Sequence, residues 1–274
     1  MLIKTAVCQL KINISKKKNL NKAYAMIKEA SGSNADIVVL PEIFNCPYDK
    51  NLFSSYAEYF GEETTNMLSA AADEFKIYLI GGSIPEKEIS KDNKEVYYNT
   101  SFIFDPDGSL IGKHRKIHLF DVNIKNKITF MESDVFSAGE QSTVFDSVYC
   151  KMGVAICYDM RFPELIRKMT VCGAKVIIVP AAFNTSTGPA HWHLITRSRA
   201  IDNQVYFIAA SPARDVKAKY IAYGHSLVCN PWGEIISEAG EDETIIYADI
   251  DLNFLQKIRE ELPILKHLRP QIYR

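Results

Sequence analysis

Along the chain, short apolar runs alternate with longer segments of mixed character. "IKTAVCQL" (3–10), "ADIVVLPE" (35–42) and "IYLIGGSI" (77–84) are apolar stretches of strand length, rich in β-branched residues, and they predict strands buried on both faces. Between them, 18–31 and 62–75 carry apolar residues at helical spacing and predict helices. The first third of the chain therefore reads βαβαβ. "NTSFIFDPDGSLIGKHRK" (99–116) follows as a predicted hairpin, its turn at Asp105-Pro106-Asp107-Gly108.

The second half repeats this plan in the same order. "TAVC" (5–8) matches "VAIC" (154–157), "DIVVLPEIFN" (36–45) matches "KVIIVPAAFN" (175–184), and the turn "FDPDGSLIG" (104–112) matches "CNPWGEIIS" (229–237). Two related α/β halves, roughly 1–130 and 131–274, are expected to pack their sheets face to face with helices outside. The predicted fold is a four-layer α-β-β-α sandwich with an internal pseudo-twofold repeat, one domain over 1–274. The repeat informs most where it breaks. Pro41-Glu42 corresponds to Pro180-Ala181, so the fold itself does not require the carboxylate of Glu42. Cys8 and Cys157 occupy matching strand ends in this alignment, yet only Cys157 is followed by a charged cluster.

Composition removes several classes of function. The 274 residues are 47% hydrophobic and 24% charged with net charge −1, which fits a globular protein with a sizeable core and gives no basic surface for nucleic acid. Lys16-Lys17-Lys18, the longest basic run, reads as a solvated helix start. No apolar stretch reaches the ~20 residues of a membrane span, and "MLIKTAVCQL" runs into a strand without the plan of a secretion signal, so a cytoplasmic location is expected. The six cysteines (8, 46, 150, 157, 172, 229) form no C-x-x-C pair and read as free thiols.

One of these thiols stands at a junction. In "KMGVAICYDMRFPE" (151–164) the strand ends at Cys157 and a helix start follows, with Pro163 in its first turn. Free cysteine is more often a packing residue. A strand end in an open α/β sheet, however, faces the crevice where such sheets bind ligands. A nucleophilic thiol needs a base or a cation beside it. His191 and His193, two apart in a predicted helix, point away from each other, which suits neither a metal nor a shared site. His118 and His225 read as hydrogen-bond donors behind a site. Within "GKHRKIHLF" (112–120), Lys113 reads as an edge-strand solubility device. Lys116 leads into a segment expected to cross the open end of the sandwich, where its ammonium would favour a thiolate at Cys157. Arg161, four residues past the thiol, offers either a fork for a substrate carboxylate or a structural ion pair with Asp159 or Glu164.

"VVLPEIFN", "GKHRKIHLF" and "GVAICYDMRFPE" resemble the three motifs of the nitrilase superfamily of carbon–nitrogen hydrolases, over almost the whole chain. The resemblance implies the same α-β-β-α fold, an enzyme without cofactor or metal, and a Glu-Lys-Cys triad at Glu42, Lys116 and Cys157. It also implies an accessory glutamate at Glu132 in "ITFMESDVFSAGE" and a homodimer or higher homo-oligomer paired across helices near the cysteine. "AAFNTSTGPAHW", "RSRAIDNQVYFIAASPARD" and "YGHSLVCNPWGE" are most similar to the omega-amidases, which hydrolyse the terminal amide of 2-oxo dicarboxylic acid monoamides such as 2-oxoglutaramate and 2-oxosuccinamate. The implied chemistry is attack by Cys157 with Glu42 as base, an oxyanion held by Lys116 and the Tyr158 N–H, and a thioester that water hydrolyses. Tyr48, Phe183, Thr187 and Arg161 are expected to line the substrate pocket. A related amidase acting on deaminated glutathione or an N-carbamoyl compound, and a catalytically idle binding protein of the same fold, are the alternatives. One departure is visible: where the family pattern reads Pro-Ala-His-Trp-Glu, this chain has His193, which is expected to remove a negative charge near the pocket wall.

Overall fold

In the computed structural model, which describes residues 2–125 and 128–272, the elements run β1 (Leu2–Gln9), α1 (Lys16–Gly32), β2 (Ile37–Val39), α2 (Lys50–Tyr56), α3 (Glu63–Phe75), β3 (Tyr78–Ile80), β4 (Ile84–Ile89), β5 (Glu95–Phe104), β6 (Leu110–Arg115), β7 (Asp121–Ile124) and β8 (Ile128–Met131). The second part contributes β9 (Thr143–Asp146), β10 (Lys151–Val154), α4 (Pro163–Val171), β11 (Val176–Pro180), α5 (Gly188–Asn203), β12 (Tyr206–Ala210), β13 (Leu227–Cys229), β14 (Ile235–Glu238), β15 (Thr244–Asp251) and α6 (Leu252–Glu261). Among the described residues these form one sheet ordered β15-β1-β2-β3-β5-β4, with β6 also paired to β5, and a second ordered β14-β13-β12-β11-β10-β9.

The strands are apolar on both sides because both sides are covered. Ile37 and Val39 of β2 point into the core between the sheets, where they meet Val154, Val176, Ile178 and Ile208. Val38 and Leu40 point the other way, onto Leu20, Ala23 and Ile27 of α1 and Leu68 and Ala71 of α3. The second sheet does the same with Ile177, Val179 and Phe207 against Leu165, Ile166 and Met169 of α4 and Trp192 and Ala200 of α5. The architecture is the expected four-layer sandwich. Both matched hairpins form: Gly108 (φ +72°) and Gly233 (φ +83°) close equivalent turns, and each ladder carries a register shift beside its turn.

Three features depart from the sequence reading. First, β15 lies beyond the expected midpoint but pairs antiparallel with β1 over eight positions, from Leu2↔Asp251 to Gln9↔Thr244, so the halves are interleaved rather than consecutive. It takes the place beside β1 that β9 takes beside β10. A strand's own pattern says that it needs partners, not which sheet supplies them. Second, the "TAVC" and "VAIC" match slips by two residues. Val7 pairs with Val39 as Val154 pairs with Ile178, so Val7 and Val154 are equivalent, and Cys157 corresponds to Leu10, not Cys8. A slip of two preserves the inside–outside alternation of a strand, so apolar patterning cannot detect it. Third, Asp121–Ile124 and Ile128–Met131, where no element is predicted, pair antiparallel as β7 and β8.

Candidate active site

Three corners at one end of the sandwich deliver the three triad residues expected. After β2 the chain turns at Pro41-Glu42, with Ile43 in the left-handed region (φ +50°). The Ile43 N–H donates to Ser83 Oγ (3.0 Å) and the Ser83 N–H to the Pro41 carbonyl (3.2 Å). Gly82 makes that approach possible: its φ is +58°, and a Cβ there would lie 2.2 Å from the Pro41 oxygen. Lys116 directly follows β6. Its N–H donates to the Asn99 carbonyl (2.9 Å), and its own carbonyl accepts from Gly139 (2.8 Å), where a Cβ would sit 2.2 Å from the Arg115 oxygen.

Cys157 follows β10 by three residues and begins a 3₁₀ turn over Cys157–Arg161. Its φ of +46° is costly for a side chain with a Cβ, so the surrounding turn has to impose it. The buried Asp159 carboxylate supplies the restraint, accepting from the Ile156 N–H (3.0 Å), the His118 N–H (2.8 Å), His118 Nδ1 (2.8 Å) and His114 Nε2 (3.0 Å). Burial works against its ionisation, but the His114 and His118 hydrogen bonds outweigh burial and hold the carboxyl far below the usual carboxylate range. From α5, Arg199 clamps the same turn by donating to the carbonyls of Met160 (2.8 Å) and Arg161 (2.9 Å).

The side chains meet out of solvent. Lys116 Nζ lies 2.9 Å from Glu42 Oε1 and 2.8 Å from Glu132 Oε2, all three side chains fully buried. Asn99 Nδ2 bridges the two carboxylates, donating to Glu42 Oε1 (2.9 Å) and Glu132 Oε1 (3.0 Å), and the Phe120 N–H donates to Glu132 Oε2 (2.7 Å). Burial pulls the Lys116 pKa down, but Glu132 and Glu42 together hold it well above the ordinary value. Burial pushes Glu42 up, against the attraction of Lys116. The thiol of Cys157 is pushed well above its usual value by burial and by Glu42, more than Lys116 and the Ala182 N–H can offset. Lys116 does act in the expected direction, favouring the thiolate, but burial and Glu42 outweigh it. Burial and the neighbouring Glu42 therefore favour the neutral thiol, which lies within hydrogen-bonding reach of the Glu42 carboxyl.

A crevice lined by Cys157, Tyr158, Arg161, Phe183, Thr187, Phe120, Ala182 and Tyr220 opens over the sulfur. The Arg161 guanidinium lies 4.7 Å over the Phe183 ring and donates to His191 Nδ1 (3.2 Å). Among the described residues no carboxylate stands within ion-pair distance of it. The structural alternative for Arg161 therefore fails: Asp159 is committed to the turn and to His114 and His118. Tyr48 does not line this crevice. It faces the adjoining cavity of about 380 Å³ that reaches Glu42, and it stacks on Tyr220, which borders both spaces, at 4.5 Å.

Asn99, His114 and Tyr220 escape the sequence reading. Asn99 had a weak signal, an amide at the start of the predicted hairpin; Tyr220 had none, since its segment has no periodicity. Of the histidines, His118 does stand behind the site, stacked on Phe162 at 3.6 Å, while His225 lies away from it beside Glu238. His191 and His193 diverge as their spacing requires, the first toward Arg161 and the second toward Glu238. His193 lines neither space near Cys157, so its substitution leaves the pocket wall unchanged. Lys113 pairs with Glu86 at 3.2 Å and so is more than a solubility device.

Comparison with known proteins agrees with this arrangement. The family model for carbon–nitrogen hydrolases matches residues 4–260. Omega-amidase NIT2-B of Xenopus laevis is 52% identical over 268 residues, covering 98% of this chain and 95% of its own, and omega-amidase NIT2 of Homo sapiens is 50% identical with the same coverage. Among solved structures, Saccharomyces cerevisiae Nit3, described as a member of branch 10 of the nitrilase superfamily, superposes with a TM-score of 0.89 at 47% identity, covering 97% of this chain and 96% of its own. With the family model spanning nearly the whole chain and relatives at half identity, the chain belongs to the carbon–nitrogen hydrolase family of the nitrilase superfamily.

Proposed function

We propose that this hydrolase, as one domain spanning the chain, is an omega-amidase that releases ammonia from the terminal amide of small 2-oxo dicarboxylic acid monoamides such as 2-oxoglutaramate and 2-oxosuccinamate. The observation that carries the reading is Arg161, a half-buried guanidinium without a carboxylate partner, in the same crevice as Cys157. A desolvated cation of this kind is costly unless a ligand anion completes it. Sharing one crevice, Arg161 and the thiol could engage the two ends of a short acid that carries an amide, and the relatives at half identity are named omega-amidases.

In the proposed reaction Glu42 takes the thiol proton as Cys157 attacks the amide carbon. The developing oxyanion is stabilised by the Lys116 ammonium and the Tyr158 N–H. Glu42 then returns its proton to the departing ammonia, and a water that Glu42 deprotonates hydrolyses the thioester. Glu132 and Asn99 position Lys116 throughout. A neutral thiol next to a carboxyl of raised pKa lets proton transfer accompany the attack, and no step calls for a metal or organic cofactor. Phe183 and Thr187 shape the crevice, and Tyr48 with Tyr220 lines the approach.

Homo-oligomerisation is supported by the exposed Val171, Leu194 and Ile201 on the outward faces of α4 and α5. A cytoplasmic address is supported by the free cysteines; no helix among the described residues is long and apolar enough to cross a membrane. The test is ammonia release from 2-oxoglutaramate, 2-oxosuccinamate, glutamine, asparagine, N-carbamoyl amino acids, deaminated glutathione and simple nitriles. The two oxo acids are expected to lead. Preference for deaminated glutathione or an N-carbamoyl compound would replace the substrate assignment. No turnover on any of them, together with no protection of Cys157 from iodoacetamide, would favour the binding-protein alternative.

A further inference from the structure

Away from the crevice, three potential ligand atoms converge from separate parts of the chain. His193 comes from α5, His225 from the segment entering β13, and Glu238 from the end of β14. Their ligating atoms all lie within 4.8 Å of one another. His193 Nε2 is 2.7 Å and His225 Nδ1 3.2 Å from the same carboxylate oxygen, Glu238 Oε1. We infer that His193, His225 and Glu238 form a binding site for a divalent transition-metal ion of the zinc class, separate from the Cys157 crevice.

Two imidazole nitrogens and one carboxylate are a donor set that zinc takes with a fourth position left to solvent. Zinc–nitrogen and zinc–oxygen bonds of about 2.0–2.2 Å in tetrahedral array put neighbouring ligands roughly 3.3 Å apart. The His225–Glu238 separation already matches, and the His193–Glu238 contact needs to open by about half an ångström. The same ring nitrogens that now donate to Glu238 would present lone pairs to the ion, so binding replaces two shared protons by one cation. All three side chains are partly exposed, at 31%, 22% and 33%, which leaves a path for entry.

The His225 side of the site is preorganised. His225 sits in the left-handed region (φ +59°), where its N–H donates to the Gly240 carbonyl (2.9 Å) and its carbonyl accepts from Trp192 Nε1 (2.6 Å). Its ring stacks on Tyr223 at 4.5 Å. A rigid ring needs little reordering on binding. An ion here would tie α5 to the β13–β14 hairpin and to the end of the segment that carries Tyr220. The third ligand depends on His193, which stands where the family pattern has Glu.

Zinc and cobalt(II) titration of the metal-stripped full chain tests this, in a Cys157→Ala, Cys172→Ser background so that those thiols do not compete. One zinc equivalent per chain is expected by competition with a chromophoric chelator, and cobalt should give d–d bands without thiolate charge-transfer absorption. His193→Ala, which removes the ligand and sets no new charge against Glu238, should lower zinc affinity at least tenfold while the metal-free chain still unfolds cooperatively, and Glu238→Gln should do the same. Saturating zinc should raise the melting temperature by a few degrees in the parent and not in either variant. No binding, binding unaffected by His193→Ala, half an equivalent per chain, or thiolate bands would each overturn the assignment.

Discussion

Leu10 and Cys157 hold the same place in the two halves, each three residues beyond a matched position of the parallel ladder, Val7 in one and Val154 in the other. Leu10 is buried among Ala6, Cys8, Leu40 and Leu20, and its carbonyl accepts from Ala213. Cys157 instead departs from extended geometry into a 3₁₀ turn. The neighbouring corners differ in the opposite sense: Glu42 in the first half, Ala181 in the second. The site therefore takes its carboxylate from one half and its thiol from the other. Each half keeps the apolar version of what its counterpart contributes. Duplicating a sandwich doubles its strand ends, but a site needs only one from each side, and the spare corners revert to packing.

The largest effect should separate those two corners. Cys157→Ala is expected to abolish ammonia release, a loss of roughly 10⁴-fold or more, with an unchanged melting temperature, because thiol-to-methyl leaves only a small cavity. Leu10→Ala should do the reverse, costing about 2–5 kcal/mol in denaturant unfolding while the folded enzyme still turns over. Substantial activity in Cys157→Ala would sink the comparison.

Glu42→Gln comes next, since it keeps shape and removes the proposed base. A fall of about 10²–10⁴-fold in kcat is expected, and activity within tenfold of the parent would assign the proton transfer elsewhere. Its mirror, Ala181→Glu, should give no added activity and should lower the melting temperature, because it buries a carboxylate in an apolar cluster.

Arg161→Met should cost about 10- to 150-fold in kcat/KM on a monoamide of a dicarboxylic acid, the worth of a charge-assisted contact of roughly 1.5–3 kcal/mol. A matched neutral amide should lose far less. Equal losses on the two would make Arg161 a support for the crevice wall alone.

The smallest effect concerns pH. The proposed base Glu42 would have to be ionised to act, and its folded pKa is raised by burial, so kcat/KM should fall as pH drops through a value higher than that of an ordinary glutamate. Because the thiol is also raised, alkylation of Cys157 by iodoacetamide should keep accelerating above pH 8.5. A plateau below pH 7 would mean a resting thiolate in place of the neutral thiol.

Much of this is legible in the sequence. Apolar runs of strand length, helical spacing between them and the two Asx-Pro hairpin turns follow from backbone geometry that acts over a few residues, and they identify the sandwich and its repeat. The break in the repeat at Glu42 and Ala181 points to a carboxylate with work to do, and the charged run after Cys157 points to the thiol. What only the tertiary structure decided were the relations between distant segments. The pairing of β15 with β1, the two-residue slip that makes Leu10 and not Cys8 the twin of Cys157, and the bridge that Asn99 forms between Glu42 and Glu132 all join segments far apart in the chain. The charge state of the site belongs there as well. Whether Lys116 makes a thiolate depends on burial and on two carboxylates from other parts of the chain, and desolvation is a property of the packed molecule that no local stretch of sequence carries.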